Sequence, residues 1–333
     1  MVHPRPAIPL TIVAGYLGSG KTSLLNHIVA RCDTSRFAIL VNDFGKLNID
    51  AELVEMQGGR AYRLESGCIC CNIGNSLIST LLNVLRREPR PERILLESSG
   101  VADPARIADV ARLSPSLLPG RVVVLVDSAQ VRSRLADTLV GETVRKQIDA
   151  ADLLILNKAD LVTGDDLADL SDWLRSEFGE RPHLAARHAR VPVAEVLADP
   201  ATTLQGHSEE GLSKQHSEVF WSWSYEGDRL FRRRELEKAL TGLAPLVERA
   251  KGFVRFRDAP DRTMIVQLTV SGLSIAEAPQ RAPKETKCRI EFVGAGKKPD
   301  ETALRRAIER ARDMTSFNTE MVRCGSVPSV NDR

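Results

Sequence analysis

IPLTIVAGYLGSGKTSLLNHIVA, residues 8–30, decides the fold. Its opening, IPLTIVAG (8–15), is a short apolar, β-branched run ending in glycine, which reads as a buried strand. KTSLLNHIVA (21–30) carries apolar residues at helical spacing and opens a helix. Between them, GYLGSGKT (Gly15 to Thr22) fits the phosphate-binding loop G-x-x-x-x-G-K-[ST] in full, with strand before and helix after. Each residue type has a reason. Gly15, Gly18 and Gly20 can turn tightly and bring backbone N–H groups close to phosphate oxygens. The helix beginning near Lys21 adds its positive N-terminal end. Lys21 is placed to neutralise the β- and γ-phosphates, and Thr22 offers a hydroxyl to Mg²⁺. Ser19 and Ser23 complete the set assigned to the phosphates.

Outward from this loop, RFAILVNDFG (36–45), RILLESSG (93–100), RVVVLVDSA (121–129) and ADLLILNKAD (151–160) read as further buried strands. SLISTLLNVLRRE (76–88) reads as an amphipathic helix. Nearly all-apolar strands alternating with helices predict a parallel sheet covered on both faces. The expected class is therefore α/β, a phosphate-loop parallel sheet over residues 1–200. PATTLQGHSEEGLSKQHS (200–217) is polar and aperiodic, and residues 201–217 read as a linker. Beyond it, strands over 218–225, 252–258, 263–272 and 287–294 and helices over 232–243 and 300–314 predict a smaller α+β domain with an antiparallel sheet, spanning 218–333.

LNKAD (156–160) names the base. N-K-x-D after a buried strand lies at the carboxyl edge of the sheet, where ligands bind in this architecture. Asp160 can accept two hydrogen bonds from guanine, and adenine offers no such pair. Asn157 and Lys158 would brace the loop and cover the base, so GTP is expected rather than ATP. In ILLESSG, Glu97 is the carboxylate expected to organise Mg²⁺, and Gly100 offers an N–H to the γ-phosphate. VNDFG, with Asp50 following, falls where a γ-phosphate-sensing segment is expected. There Asp43 is either a turn residue or a partner of the metal ion or attacking water. Lys21, Asp43 and Glu97 are thus the candidate catalytic residues. Val101, not glutamine, follows Gly100, so slow intrinsic hydrolysis that depends on a partner or a bound metal is expected.

Three of the six cysteines, Cys68, Cys70 and Cys71, crowd into ESGCICCNIG (65–74). The N-terminus lacks the apolar core and cleavage site of a signal peptide, and no apolar run reaches the roughly 20 residues that span a bilayer. A cytosolic, reducing location is expected, where a tight cysteine cluster argues for metal or catalysis over a disulfide framework. Three close thiolates repel, and Zn²⁺ or Co²⁺ offsets their charge. Three ligands leave a coordination position open, which suits transfer better than storage. Copper(I) also favours thiolates. A buried apolar patch and a redox sensor are the other readings. The formal net charge of +2, from 46 basic and 44 acidic residues, gives no reason to expect nucleic acid or an anionic membrane as the main partner.

Taken in order, GYLGSGKT, VNDFG with Asp50, GCICC, ESSGVADP and NKAD resemble the CobW family of P-loop GTPases. ERAKGFV (248–254) resembles the start of that family's C-terminal domain. The resemblance implies a GTPase that binds Zn²⁺ or Co²⁺ and uses GTP to deliver it to a client metalloprotein or a cofactor-biosynthesis enzyme, with a homodimer as one option. It carries Cys68, Cys70 and Cys71 over as metal ligands or their neighbours. Glu97 and Gly100 carry over to the second switch, and Asn157, Lys158 and Asp160 to the base. Two departures stand out. Many members have Glu where Asp43 stands. Many also carry a long histidine tract, where this chain has only His183, His188, His207 and His216 scattered over 183–216. Two rivals remain open: a regulatory switch with a redox or structural cysteine cluster, and an activator inserting metal into an enzyme such as nitrile hydratase.

Overall fold

The computed structural model describes residues 6–34, 36–41, 61–63, 69–198, 219–279 and 287–312, with backbone alone at 61–63 and 69–76. The presumed switch segment with Asp43 and Asp50, Cys68, the 201–217 linker and the tail from 313 lie outside them.

Strand β1 (Ile8–Ala14) is buried along almost its whole length. It feeds the phosphate loop, from which helix α1 (Lys21–Val29) departs. β2 (Phe37–Val41) and β3 (Ala61–Arg63) follow, then α2 (Ile69–Leu85) and β4 (Arg93–Glu97). Helix α2 starts seven residues ahead of the expected 76, because CCNIGN carries neither apolar periodicity nor a capping signature. Its Leu77, Leu81 and Val84, at helical spacing, are buried against the sheet.

Next come α3 (Pro104–Arg112), β5 (Leu117–Asp127), α4 (Val131–Ala136), α5 (Gly141–Asp149), β6 (Leu153–Asn157), α6 (Gly164–Phe178), β7 (His183–Ala185) and the short α7 (Val193–Leu197). Helices α3 to α7 and the short strands β3 and β7 are additions to the sequence-based expectation. Two of the helices carry clear start signals. The Asp103 carboxylate accepts from Ala105 N (3.0 Å) ahead of Pro104. Thr163 and Asp166 form a reciprocal capping box.

The seven strands form one sheet in the order β3-β2-β4-β1-β5-β6-β7, every pairing parallel. β1 sits between β4 (Val13 opposite Glu97) and β5 (Ala14 opposite Val124). The chain leaves β1 toward one side of the sheet for β2 and later takes up the other side at β5. The carboxyl end of β1 is therefore the switch point where this architecture opens a crevice.

The second sheet is antiparallel, in the order β11-β10-β9-β12-β8. Its elements are β8 (Phe220–Gly227), α8 (Arg233–Leu243), β9 (Arg249–Phe256), β10 (Ala259–Thr269), β11 (Gly272–Glu277), β12 (Cys288–Ala295) and α9 (Glu301–Arg310). The strand expected over 263–272 ends at Thr269. Gly272, with φ 121°, lets the chain reverse into β11 instead. β9 begins three residues before the expected 252, so ERAKGFV is mostly strand. One face of this sheet buries Trp223, Tyr225, Val254, Phe256, Ile290 and Phe292 against α8 and α9. The other carries Phe220 and Val293 into the core of the parallel sheet.

Candidate nucleotide and metal site

Gly20, with φ 110°, caps α1 without a side-chain hydrogen bond to the first turn. A side chain there would both demand a left-handed backbone and collide with the Asn157 amide. The helix's leading N–H groups are thus presented toward the crevice, an anion-binding geometry. Lys21 is 4% exposed, and its Nζ donates to the carbonyls of Gly15 (2.9 Å) and Tyr16 (3.2 Å), folded back over the loop. Thr22 Oγ1 donates to Glu97 Oε1 at 3.0 Å. Two hard oxygen donors expected to share a cation, 75 positions apart in sequence, therefore meet at the end of β4.

Asn157 is the keystone of the base segment. Its Nδ2 donates to Ser19 O (2.7 Å), and its Oδ1 accepts from Ala189 N (2.8 Å). One buried amide thus binds the phosphate loop to the end of β6 and to the loop after β7. Lys158 adopts a left-handed backbone (φ 59°), and its Nζ pairs with Asp127 Oδ2 at 2.6 Å and reaches Ser271 Oγ at 3.0 Å. Asp160 sits in a single 3₁₀ turn, Ala159–Leu161, with its carboxylate exposed. Gly100 is buried, and its carbonyl accepts from Gln147 Nε2 at 3.1 Å, which also reaches Ala102 O at 3.0 Å.

The structure thus brings Gly15, Gly18, Ser19, Gly20, Lys21, Thr22, Ser23, Glu97, Asn157, Lys158 and Asp160 to one edge of the sheet, with Gly100 beside them after β4. Asp43 and Cys68 fall outside the described residues. Cys70 and Cys71 occupy the first turn of α2 by backbone. That helix's buried face shares a core with Tyr16 and Leu17 of the phosphate loop. Among the described residues, no group of three or more His, Cys, Asp or Glu side chains is arranged to hold a metal. His183 is bound to Ser171 Oγ (2.7 Å) and faces Arg181 O, while His188 is exposed. Neither belongs to the site.

Sequence reasoning misses Asp127, Gln147 and Ser271. Asp127 and Gln147 carry no local signature, since each acts on a partner more than 30 positions away. Also missed is the second wall of the crevice. The antiparallel sheet covers the phosphate loop: Thr269 Cγ2 lies 3.1 Å from where a Cβ on Gly18 would stand, and the Tyr16 and Phe220 rings are 6.4 Å apart. Arg134 pairs with Glu248 at 2.8 Å, both nearly buried, and stacks over Tyr16. Burial, reinforced by the Glu248 carboxylate, pushes the Tyr16 hydroxyl far above its ordinary pKa and keeps it neutral.

Residues 9–183, more than half of the chain, match the family model of the CobW/HypB/UreG nucleotide-binding domain. The chain belongs to the CobW/HypB/UreG family. Residues 220–312 match the C-terminal domain of the cobalamin synthesis protein cobW. The sheet order and flanking helices are those of a P-loop GTPase with a C-terminal antiparallel domain. Among curated relatives, the zinc chaperone CobW of a Sinorhizobium species is 27% identical, over 90% of this chain and 96% of its own length. The zinc chaperone YeiR of Escherichia coli K12 is also 27% identical, over 92% and 98%. The zinc-regulated GTPase metalloprotein activator 1 of Schizosaccharomyces pombe is 33% identical, over 48% of this chain and 41% of its own. Among the described residues, no helix is long and apolar enough to cross a membrane.

Proposed function

We propose that this chain is a GTP-hydrolysing metallochaperone that binds Zn²⁺ or Co²⁺ through Cys68, Cys70 and Cys71 and passes it to a client metalloprotein or cofactor-biosynthesis enzyme. The observation that carries the nucleotide half is the Asn157 bridge. It holds the phosphate loop and the guanine-reading segment in fixed relation. Asp160, exposed at the mouth, is free to accept from the N1 and exocyclic amine of guanine. The Lys158 stem, fixed by Asp127, covers the ring. Two curated relatives that align along at least 90% of this chain are named zinc chaperones, which supports the metal half.

Mg²⁺ belongs to this fold family's chemistry, and the donor set fits it: the Thr22 hydroxyl and Glu97 carboxylate are hard oxygen ligands that already meet. When bound, Mg²⁺ supplies positive charge to the β- and γ-phosphates. The remaining work falls to this chain's residues. Lys21 exchanges the carbonyls of Gly15 and Tyr16 for phosphate oxygens. The N–H groups of Gly18 to Ser23 cradle the diphosphate. Gly100 offers its N–H to the γ-phosphate, and Asp43 orients the attacking water. With Val101 in place of a glutamine, intrinsic turnover is slow.

The metal is cargo. Cys70 and Cys71 open a helix whose buried face belongs to the same core as Tyr16 and Leu17, the route by which a change in the phosphate loop would reach the cysteines. The test is a competition titration of Zn²⁺ and Co²⁺ into reduced protein with Mg²⁺ and either GTP or GDP, following the thiolate-to-cobalt charge-transfer band. Binding at least about tenfold tighter with GTP, about 1.4 kcal/mol of coupling, is expected. Cys70→Ala and Cys71→Ala should keep GTP and lose tight metal binding. Equal, weak metal binding in both nucleotide states would remove the metallochaperone and leave a switch GTPase.

A further inference from the structure

The turn between β10 and β11, Thr269 to Gly272, belongs by sequence to the C-terminal domain and by position to the nucleotide site. Thr269 stands opposite Gly272 in the pairing of the two strands, and the positive φ of Gly272 closes the reversal. Farther down the same sheet, Arg249, Lys251 and Gln267 line one side of a narrow cleft whose other side includes Gly18, Gly20 and Lys21. The turn itself reaches past the phosphate loop to the end of β6. A cavity of about 30 Å³ is shared by the turn, Gly18 and Lys158, room for a water or two at most. The two domains are therefore in direct contact at the base-reading segment.

Three side chains meet there in a closed triangle. Lys158 Nζ donates to Asp127 Oδ2 at 2.6 Å and to Ser271 Oγ at 3.0 Å, and the Ser271 hydroxyl donates to the same Asp127 oxygen at 3.4 Å. The proton count closes: the serine oxygen accepts from the ammonium and gives its one proton to the carboxylate. Asp127 is itself fixed, since its other oxygen accepts from Ala129 N at 3.1 Å and the residue stands opposite Asn157 in the β5–β6 pairing. Lys158 needs such holding. A non-glycine residue in left-handed backbone persists only where its surroundings over-determine it, and its long stem loses rotamer freedom when ordered. One anchor fixes where the ammonium lies. A second, from another element, fixes the line of the stem, and that anchor stands 113 positions downstream. Docking of the domains has its own supports, because Phe220 and Val293 enter the parallel-sheet core and Arg134 pairs with Glu248. What the triangle adds is a fixed Lys158.

Resting on the GTP-binding reading above, we propose that Ser271 is a positioning residue for guanine recognition, supplied by the C-terminal domain. With Asp127 it holds the Lys158 stem along the line on which that stem covers the base, while Asp160 reads the base's edge. Ser271 acts through Lys158 rather than on the nucleotide itself. The base-dependent share of nucleotide binding therefore rests on it. The phosphate-dependent share does not, because Asn157 holds the phosphate loop independently. Coupling between two sites is reciprocal. A partner that shifts the β10–β11 turn thus loosens guanine nucleotide, and bound nucleotide holds the turn in place.

The experiment uses the full chain, its Ser271→Ala and Ser271→Thr variants, and Ser271→Ala placed in a Lys158→Ala background. Ser274→Ala, which removes an exposed hydroxyl of the same hairpin, is the control. Displacement of a fluorescent GDP analogue gives affinities for GDP and for inorganic pyrophosphate, which offers a diphosphate without a base. Steady-state GTP hydrolysis gives kcat and KM. Ser271→Ala should weaken GDP about fivefold, as loss of a hydrogen bond to a charged group predicts, and leave pyrophosphate within about twofold. KM for GTP should rise by a similar factor while kcat stays within about twofold. Ser271→Thr keeps the hydroxyl and should restore GDP affinity. With Lys158 already truncated, Ser271→Ala should change GDP binding by less than about twofold, because its route to the base is gone. Ser274→Ala should match the parent throughout. Equal losses for GDP and pyrophosphate, a GDP loss undiminished in the Lys158→Ala background, or Ser271→Ala binding GDP as the parent does would each overturn the assignment and leave Ser271 a docking contact. If pyrophosphate is too weak a competitor to measure, the Lys158→Ala background decides. A parent chain that binds no guanine nucleotide overturns the GTP reading along with this one, whereas a parent that binds GDP and is unmoved by Ser271→Ala overturns this one alone.

Discussion

Truncating Asn157 to alanine should damage this protein more than any other single change of one small side chain at the site. Its amide is 2% exposed and makes two bonds, to Ser19 O at 2.7 Å and from Ala189 N at 2.8 Å. Both partners are backbone groups of buried residues, with Ser19 2% and Ala189 0% exposed. Removing the amide therefore strands one acceptor and one donor. An unsatisfied buried polar group costs about 1–3 kcal/mol. Two of them, with partial relaxation of the loop, give about 3 kcal/mol, a large fraction of the ~5–15 kcal/mol that holds a typical domain folded. Urea unfolding of the nucleotide-free chain measures this as a lower midpoint at constant slope. Asn157→Asp, which keeps the acceptor but turns a carboxylate toward the Ser19 carbonyl, should cost at least as much. GTP binding should weaken in both variants. A stability change below about 1 kcal/mol for Asn157→Ala would refute the idea that this amide is the keystone of the crevice.

Gly252→Ala places a methyl group against the Arg289 carbonyl and 2.7 Å from Ile290 Cα, backbone that cannot swing aside. Overpacking of this kind should cost about 3 kcal/mol, read as an earlier thermal midpoint, and an unchanged midpoint would contradict the close approach of β9 to β12. At the start of α6, Thr163→Ala should lose about 1 kcal/mol of stability at neutral pH by removing the cap. The Thr163 hydroxyl and N–H hold the Asp166 carboxyl below its ordinary pKa. That contribution is present above the ordinary carboxylate range and fades as pH falls through the lowered value. The gap between parent and variant should therefore narrow below about pH 4 in denaturant melts, and a gap that widens there would contradict the capping box.

The parts of this molecule that could be read from the sequence are those whose cause is local. A buried strand such as Leu153–Asn157 announces itself by an unbroken apolar run, and the phosphate loop by glycines at positions that no other residue tolerates. Helix α2 was only half legible. Leu77, Leu81 and Val84 mark its buried face, but its first turn, ICCN, carries neither apolar periodicity nor a capping residue to announce it. The β10–β11 reversal hides in TVSG, where one glycine decides the turn. Least legible was the second wall of the crevice. Arg249 and Lys251 stand more than 220 positions from the loop they face, and no spacing rule connects residues that only the docking of two sheets brings together.

The order of the sheet has a consequence for how the protein is made. β1 leaves the ribosome first, yet its neighbours β4 and β5 follow only at residues 93–97 and 117–127. The amide that fixes the phosphate loop arrives at 157, and the second wall at 249–267. At about 5–20 residues per second, roughly 10–50 s separate synthesis of the loop from completion of the crevice around it. During that interval the nascent chain carries a glycine-rich anion site without its walls. The phosphate loop is thus made, and open to any anion in its surroundings, well before the sheet that covers it exists.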